Sequence, residues 1–207
     1  MNYKQNTMAF TFFFRDISSI EEAVQIIIPS LIGRSKVKIW DAGCAMGPEP
    51  YTLAIVLAEN MGHFAFENIT IYATDHDESG HFGEIISEGI YSYEDLKRMP
   101  QNIFEKYFSP TEKENFYKIS DVIKNRVEFA KHDLLSFNPI RTDFNMIMCK
   151  NVLLHFEYSD RIKCLKMFHS ALEKDGILLT ENTQKMPDEI SHIFQKIGKG
   201  SQTFIKQ

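Results

Sequence analysis

The chain has 207 residues, of which 43% are apolar and 25% charged, and its formal net charge is −5. This composition suits a globular domain with a sizeable core and excludes a disordered or fibrous chain. The acidic balance, with no basic run to offset it, argues against nucleic acid or an anionic membrane as main partner.

From the N-terminus, the apolar run MAFTFFF (8–14) is closed by Arg15 and Asp16. It falls well short of the roughly 18–20 residues of a membrane span, and no cleavage site follows it. Membrane insertion is therefore not expected. VKIWDA (37–42) reads as a buried strand, and PEPYTLAIVLAENM (48–61) as a helix opened by proline. ITIYAT (69–74) reads as a second strand, followed by a helix over about 78–88. SYEDLKRMPQNIFEKYF (92–108) is helical and broken near Pro100. Alternating β-rich pieces in 115–133 suggest a small antiparallel excursion, set at about 109–130. FNMIMC (144–149) is a continuous apolar strand. SDRIKCLKMFHSALEKDG (159–176) reads as a helix capped by Ser159 and stopped at Gly176. ILLTEN (177–182) and TFIK (203–206) complete the strands. No linker or repeat divides the chain, so residues 1–207 are expected to form one domain.

Strand–helix alternation with apolar strands implies a mostly parallel, twisted α/β sheet covered by helices on both faces. Ligands of such sheets sit beyond the carboxyl ends of the strands. Four patches should therefore converge: 41–47, 75–77, 132–134 and 149–151. Cys44, Cys149 and Cys164 are odd in number and share no C-x-x-C spacing, which fits reduced thiols in a cytosol rather than disulfides or zinc. DHDESGH (75–81) holds ligand-type residues, but its spacing matches no compact zinc motif. No metal is expected.

The turn between strand and helix, DAGCAMGPEP (41–50), has only two glycines, Gly43 and Gly47. Glu49 stands at the helix N-terminus, where it would repel a pyrophosphate. A ligand with a cationic amino-acid end would welcome that carboxylate. Asp75, just after the second strand, suits the vicinal hydroxyls of a ribose. S-adenosyl-L-methionine carries both pieces. Two readings of Glu49 stand: ligand contact, or a solvated acid at the helix dipole. Asp75 or Asp77 could equally cap the next helix. Arg15, alone among aromatics, is either a fork for a carboxylate or a surface residue with a buried stem.

Taken together, TFFFRD (11–16), WDAGCAMGPEPYTLA (40–54), ATDHD (73–77), GIYS (89–92), KYF (106–108), AKHDLL (130–135) and CKNVLLHF (149–156) resemble the CheR-type protein-glutamate O-methyltransferases of bacterial chemotaxis, in family order. The resemblance implies a class I (Rossmann-like) methyltransferase fold and S-adenosyl-L-methionine as cofactor, leaving as S-adenosyl-L-homocysteine. It places Thr11, Arg15, Gly43, Gly47, Glu49, Asp75, Asp133, Leu134, Lys150 and Asn151 at the cofactor. Arg15, Asn151 and His155 become the candidates for positioning the acceptor. The implied partner is a protein substrate such as the cytoplasmic helices of chemoreceptors, and the implied location is the cytoplasm. Pro48 replaces a family acid, Asp133 an Asn, Lys150 an Arg and His155 a Tyr. ENTQ (181–184) stands where the family closes with Gly-His-Ser-Glu, and no N-terminal helical domain is expected.

Overall fold

The computed structural model describes residues 11–207, so residues 8–10 of the apolar N-terminal run lie outside the described residues. Helix α1 (Ile17–Leu31) leads into β1 (Val37–Ala42), α2 (Pro48–Met61), α3 (His63–Phe66) and β2 (Ile69–Asp75). Helix α4 (Phe82–Glu88), β3 (Ile90–Ser92), α5 (Tyr93–Leu96), α6 (Gln101–Tyr107), β4 (Phe108–Pro110), β5 (Phe116–Ile119) and α7 (Asp121–Lys124) follow. The last part holds β6 (Val127–Lys131), β7 (Phe144–Cys149), α8 (Tyr158–Ala171), β8 (Leu172–Thr180), β9 (Phe194–Lys196) and β10 (Gln202–Lys206).

Seven strands form one sheet in the order β6-β2-β1-β7-β8-β10-β9. Every pairing in it is parallel except the two made by β10. From β1 the chain adds β2 and β6 on one side, then returns to add β7 and β8 on the other. The order thus reverses between β1 and β7, and a crevice opens at their carboxyl ends. The apolar strands explain why this sheet is central: β7 is buried along its whole length, and β1 at all but one residue. Two hydrophobic clusters, one on each face, hold the helices against it.

Helix α2 spans the residues expected from sequence. Gly47 precedes it with φ of 103°, and Pro48 and Pro50 stand in the first turn, where backbone N–H groups have no intrahelical partner.

Three expected boundaries are corrected. Residues 127–131 do not join the antiparallel excursion but pair with β2 as the parallel edge of the main sheet. The small sheet is β3-β5-β4 instead. Helix α8 starts after Glu157 rather than Ser159 and ends at Ala171, because Leu172 already pairs with Phe144 of β7. Helix α4 starts only at Phe82. Asp77 takes up the preceding turn, accepting hydrogen bonds from Ser79 Oγ at 2.8 Å, His81 N at 3.3 Å and Phe82 N at 3.1 Å. Helix α1 and strand β9 had no counterpart in the sequence reading.

The small sheet is tied to the main body by aromatic rings. Phe13, fully buried, meets the Tyr91 ring at 4.9 Å and the Phe108 ring at 5.5 Å, both edge-on. Such pairs contribute about 0.5–1.5 kcal/mol beyond their buried area. This contact anchors the segment that carries Arg15.

Candidate cofactor and acceptor site

The four patches converge. At the β1 turn, Gly43 N and Cys44 N donate to Thr74 O at 2.7 and 3.0 Å, and Ala45 N donates to Asp75 Oδ2 at 2.9 Å. His132 N, after β6, donates to Asp75 O at 2.9 Å. The glycine turn, the acid after β2 and the end of β6 are therefore one hydrogen-bonded unit. Of the two acids that could cap the next helix, Asp77 does so, and Asp75 instead faces the glycine turn.

Both glycines of the turn are required sterically. A Cβ on Gly43, where φ is 99°, would lie 2.2 Å from Val152 Cγ2. One on Gly47 would lie 2.4 Å from Tyr91 Oη, which itself donates to Met46 O at 2.9 Å. Ala45, Asp77 and Asn151 also hold φ between 42° and 59°. Clustered left-handed residues of this kind are typical of ligand clamps.

Arg15 reaches the crevice because its segment is pinned: Phe14 N donates to Thr52 Oγ1 at 3.0 Å, on α2. Arg15 Nη2 then donates to Asn151 Oδ1 at 3.1 Å, bridging the entry segment to the end of β7. Asn151 Nδ2 is buried and makes no hydrogen bond. Lys150 is enclosed, its side chain 0% exposed, with Nζ 3.5 Å from Asp16 Oδ2.

Glu49 is buried, so it is not the solvated acid of the second sequence reading. Its neighbour is an acid the sequence reading did not single out, Asp41, which is fully buried at the end of β1. Burial, then the charge of Glu49, pushes the Asp41 carboxyl well above its ordinary range. Burial likewise pushes Glu49 up to about 7, opposed by the proximity of Asp41 and by the charges of Lys150 and Arg15. Two carboxyls this close cannot both ionise. Asp41 stays protonated, and both its oxygens are buried without a hydrogen-bond partner. Glu49 Oε1 remains buried with no partner, a demand that a cationic ligand would meet. Burial also holds the Cys44 and Cys149 thiols well above their usual range, so neither serves as a nucleophile.

The remaining candidates sit further out. Thr11 is half-buried at the start of the described residues. Asp133 is exposed and accepts from Leu135 N at 2.8 Å, and Leu134 is buried in the cluster beneath α8. His155 is exposed on the short turn after Asn151.

A mostly parallel sheet in this strand order, with a glycine turn after its central strand and an acid after the next, defines the class I (Rossmann-like) methyltransferase fold. The family model described as the CheR methyltransferase SAM-binding domain matches residues 9–202, and the chain belongs to that family. It is 31% identical over 182 residues to the chemotaxis protein methyltransferase of Borreliella burgdorferi, covering 84% of this chain and 63% of the relative. It is 28% identical to chemotaxis protein methyltransferase 2 of Vibrio cholerae, covering 89% of this chain and 64% of the relative. With chemotaxis protein methyltransferase 1 of Pseudomonas aeruginosa it shares 30% identity, over 86% and 68%. The chain thus spans about two thirds of the length of these relatives.

Proposed function

We propose that this chain is an S-adenosyl-L-methionine-dependent methyltransferase that esterifies carboxylates, most simply glutamates of a chemoreceptor-like protein in the cytoplasm. The observation that carries the cofactor is the buried Glu49 oxygen without a partner, set beside a glycine turn that Asp75 holds in place. Glu49 matches a cationic amino-acid end. Asp75 and the turn match a ribose and the chain that joins the two.

Bound there, the cofactor would supply a methyl group on a sulfonium. The chain's own work is alignment. A glutamate acceptor, with pKa about 4.3, is ionised at neutral pH and asks for no general base. Asn151 Nδ2 and the Arg15 guanidinium present N–H donors at the end of β7, suited to orient a carboxylate and keep its oxygen in line. Lys150 lies behind them as buried positive charge. His155, exposed on the turn that follows Asn151, is a further candidate to meet the acceptor.

Calorimetry tests the cofactor, and no heat with S-adenosyl-L-methionine would overturn the reading. Labelled cofactor offered with chemoreceptor-containing membranes tests the reaction. Label released by alkali as methanol is the expected result. Alkali-stable label would move the activity to another side chain.

A further inference from the structure

The segment that carries Arg15 meets the end of β7 twice, through neighbouring residues on both sides. Arg15 Nη2 donates to Asn151 Oδ1 at 3.1 Å, and Asp16 Oδ2 stands 3.5 Å from Lys150 Nζ. The Lys150 side chain is 0% exposed and that of Asp16 47%, so the ammonium is enclosed and the carboxylate covers it from the solvent side. Lys150 Nζ makes no hydrogen bond among the described residues, and Asp16 is its ion-pair partner.

Asp16 also immediately precedes α1, where an Asp ordinarily turns its carboxylate back onto the first N–H groups of the helix. Its side chain makes no such bond, and the carbonyl instead accepts from Ser19 N at 3.0 Å. The backbone is strained on both sides of Arg15, with φ of 61° at Phe14 and 49° at Asp16. Residues in this conformation persist only where their surroundings over-determine them. Phe14 N is anchored on Thr52 Oγ1 at 3.0 Å. The second anchor is Asp16 on Lys150. Without it the turn is free to relax and to carry Arg15 away from Asn151.

We infer that Asp16 is a positioning residue for the acceptor site: its carboxylate, drawn to the enclosed Lys150 ammonium, locks the strained segment that sets Arg15 against Asn151. An enclosed ammonium stripped of its partner charge is costly, which is what lets the pair hold a strained turn. The word acceptor rests on the methyltransferase reading, and the lock itself does not.

Asp16→Asn tests it. Asparagine keeps the size of the side chain and tolerates left-handed backbone as aspartate does, so the charge alone is lost. In the cofactor-free protein, exchange of the Arg15 Nε–H with solvent, followed by NMR, should quicken at least about 10-fold. In the transfer assay, run where every variant is fully folded, kcat/KM for the acceptor should fall at least about 10-fold, since a misplacement of about 1 Å can cost about 10²-fold. In a Lys150→Met background the same substitution should move either quantity by no more than about 2-fold, because the removed charge has nothing left to hold. Lys150→Gln serves the same purpose if Lys150→Met does not fold. Unchanged exchange or unchanged transfer in Asp16→Asn overturns the inference. Equal losses in both backgrounds also overturn it, since Asp16 would then act without Lys150. An unsubstituted protein that transfers no methyl group, while Arg15 exchange responds as expected, would sink the methyltransferase reading and not the lock.

Discussion

Arg15 and Asn151, 136 residues apart in sequence, are joined by a 3.1 Å hydrogen bond from Nη2 to Oδ1 across the crevice between β1 and β7. That bond spends the acceptor half of the Asn151 amide and turns its Nδ2 donor to the site, where no protein group takes it. Asn151→Ala removes this donor and releases Arg15. Misplacing a nucleophile by about 1 Å can cost about 10²-fold in rate. A fall of about 100-fold in kcat/KM is expected. Asn151→Asp should be worse, since it sets a negative charge against a carboxylate acceptor.

Asp75 holds the glycine turn through Ala45 N and its own loop through Asp77 N at 3.2 Å. Hydrogen bonds to a charged group contribute about 1.5–3 kcal/mol each. Asp75→Ala should therefore weaken S-adenosyl-L-methionine binding by at least about 10-fold in calorimetry. Asp75→Asn, which keeps one oxygen for Ala45 N, should lose less.

The Asp41–Glu49 pair predicts an inverted pH dependence of stability. Glu49 goes from 4.5 unfolded to about 7 folded. Between those values the unfolded chain has released a proton that the folded chain keeps, so stability falls as pH rises through this window, and the raised Asp41 adds a loss of the same sign. At about 1.4 kcal/mol per pKa unit the span is on the order of 3 kcal/mol. The Tm of the cofactor-free protein should be lower at pH 8 than at pH 6. Glu49→Gln should weaken that pH dependence, since it removes the group whose burial raises the pKa.

A cationic ligand beside Glu49 favours its ionised form, so binding should expel a proton. Cofactor affinity is then expected to rise with pH up to about 7. Calorimetry at pH 6 in buffers of different ionisation heat measures the protons released. Buffer-independent heats would contradict a contact between Glu49 and the cation.

Gly47→Ala meets both strain at φ of 103° and collision with Tyr91 Oη and Ile86. Left-handed strain and overpacking together suggest a loss of about 2–4 kcal/mol in denaturant unfolding. Gly62→Ala is the control: its φ is 76°, but nothing lies within 4 Å of the new Cβ. With ψ of 155° this backbone is nearly confined to glycine, so the change should cost about 1–3 kcal/mol, the backbone part alone.

Much of the layout could be read from the chain alone. The spans of β1, α2 and β7 follow from apolar runs bounded by glycine, proline and charge, signals that act within a few residues. The convergence of 41–47, 75–77, 132–134 and 149–151 followed from one topological rule about parallel sheets. The family order of motifs added the fold and the cofactor.

What the chain could not show were choices made by distant partners. Residues 127–131 alternate as any edge strand does, and only the free edge of β2 made them parallel. Leu172 to Asp175 have helix-compatible residues, but pairing with Phe144 drew them into β8. Asp41 reads as the end of a strand. Folding buried it near Glu49, and desolvation then raised the pKa of two ordinary acids. Sequence determines local periodicity and chemical inventory. Burial and proximity, which set charge state and the need for a ligand, arise only when the sheet closes around them.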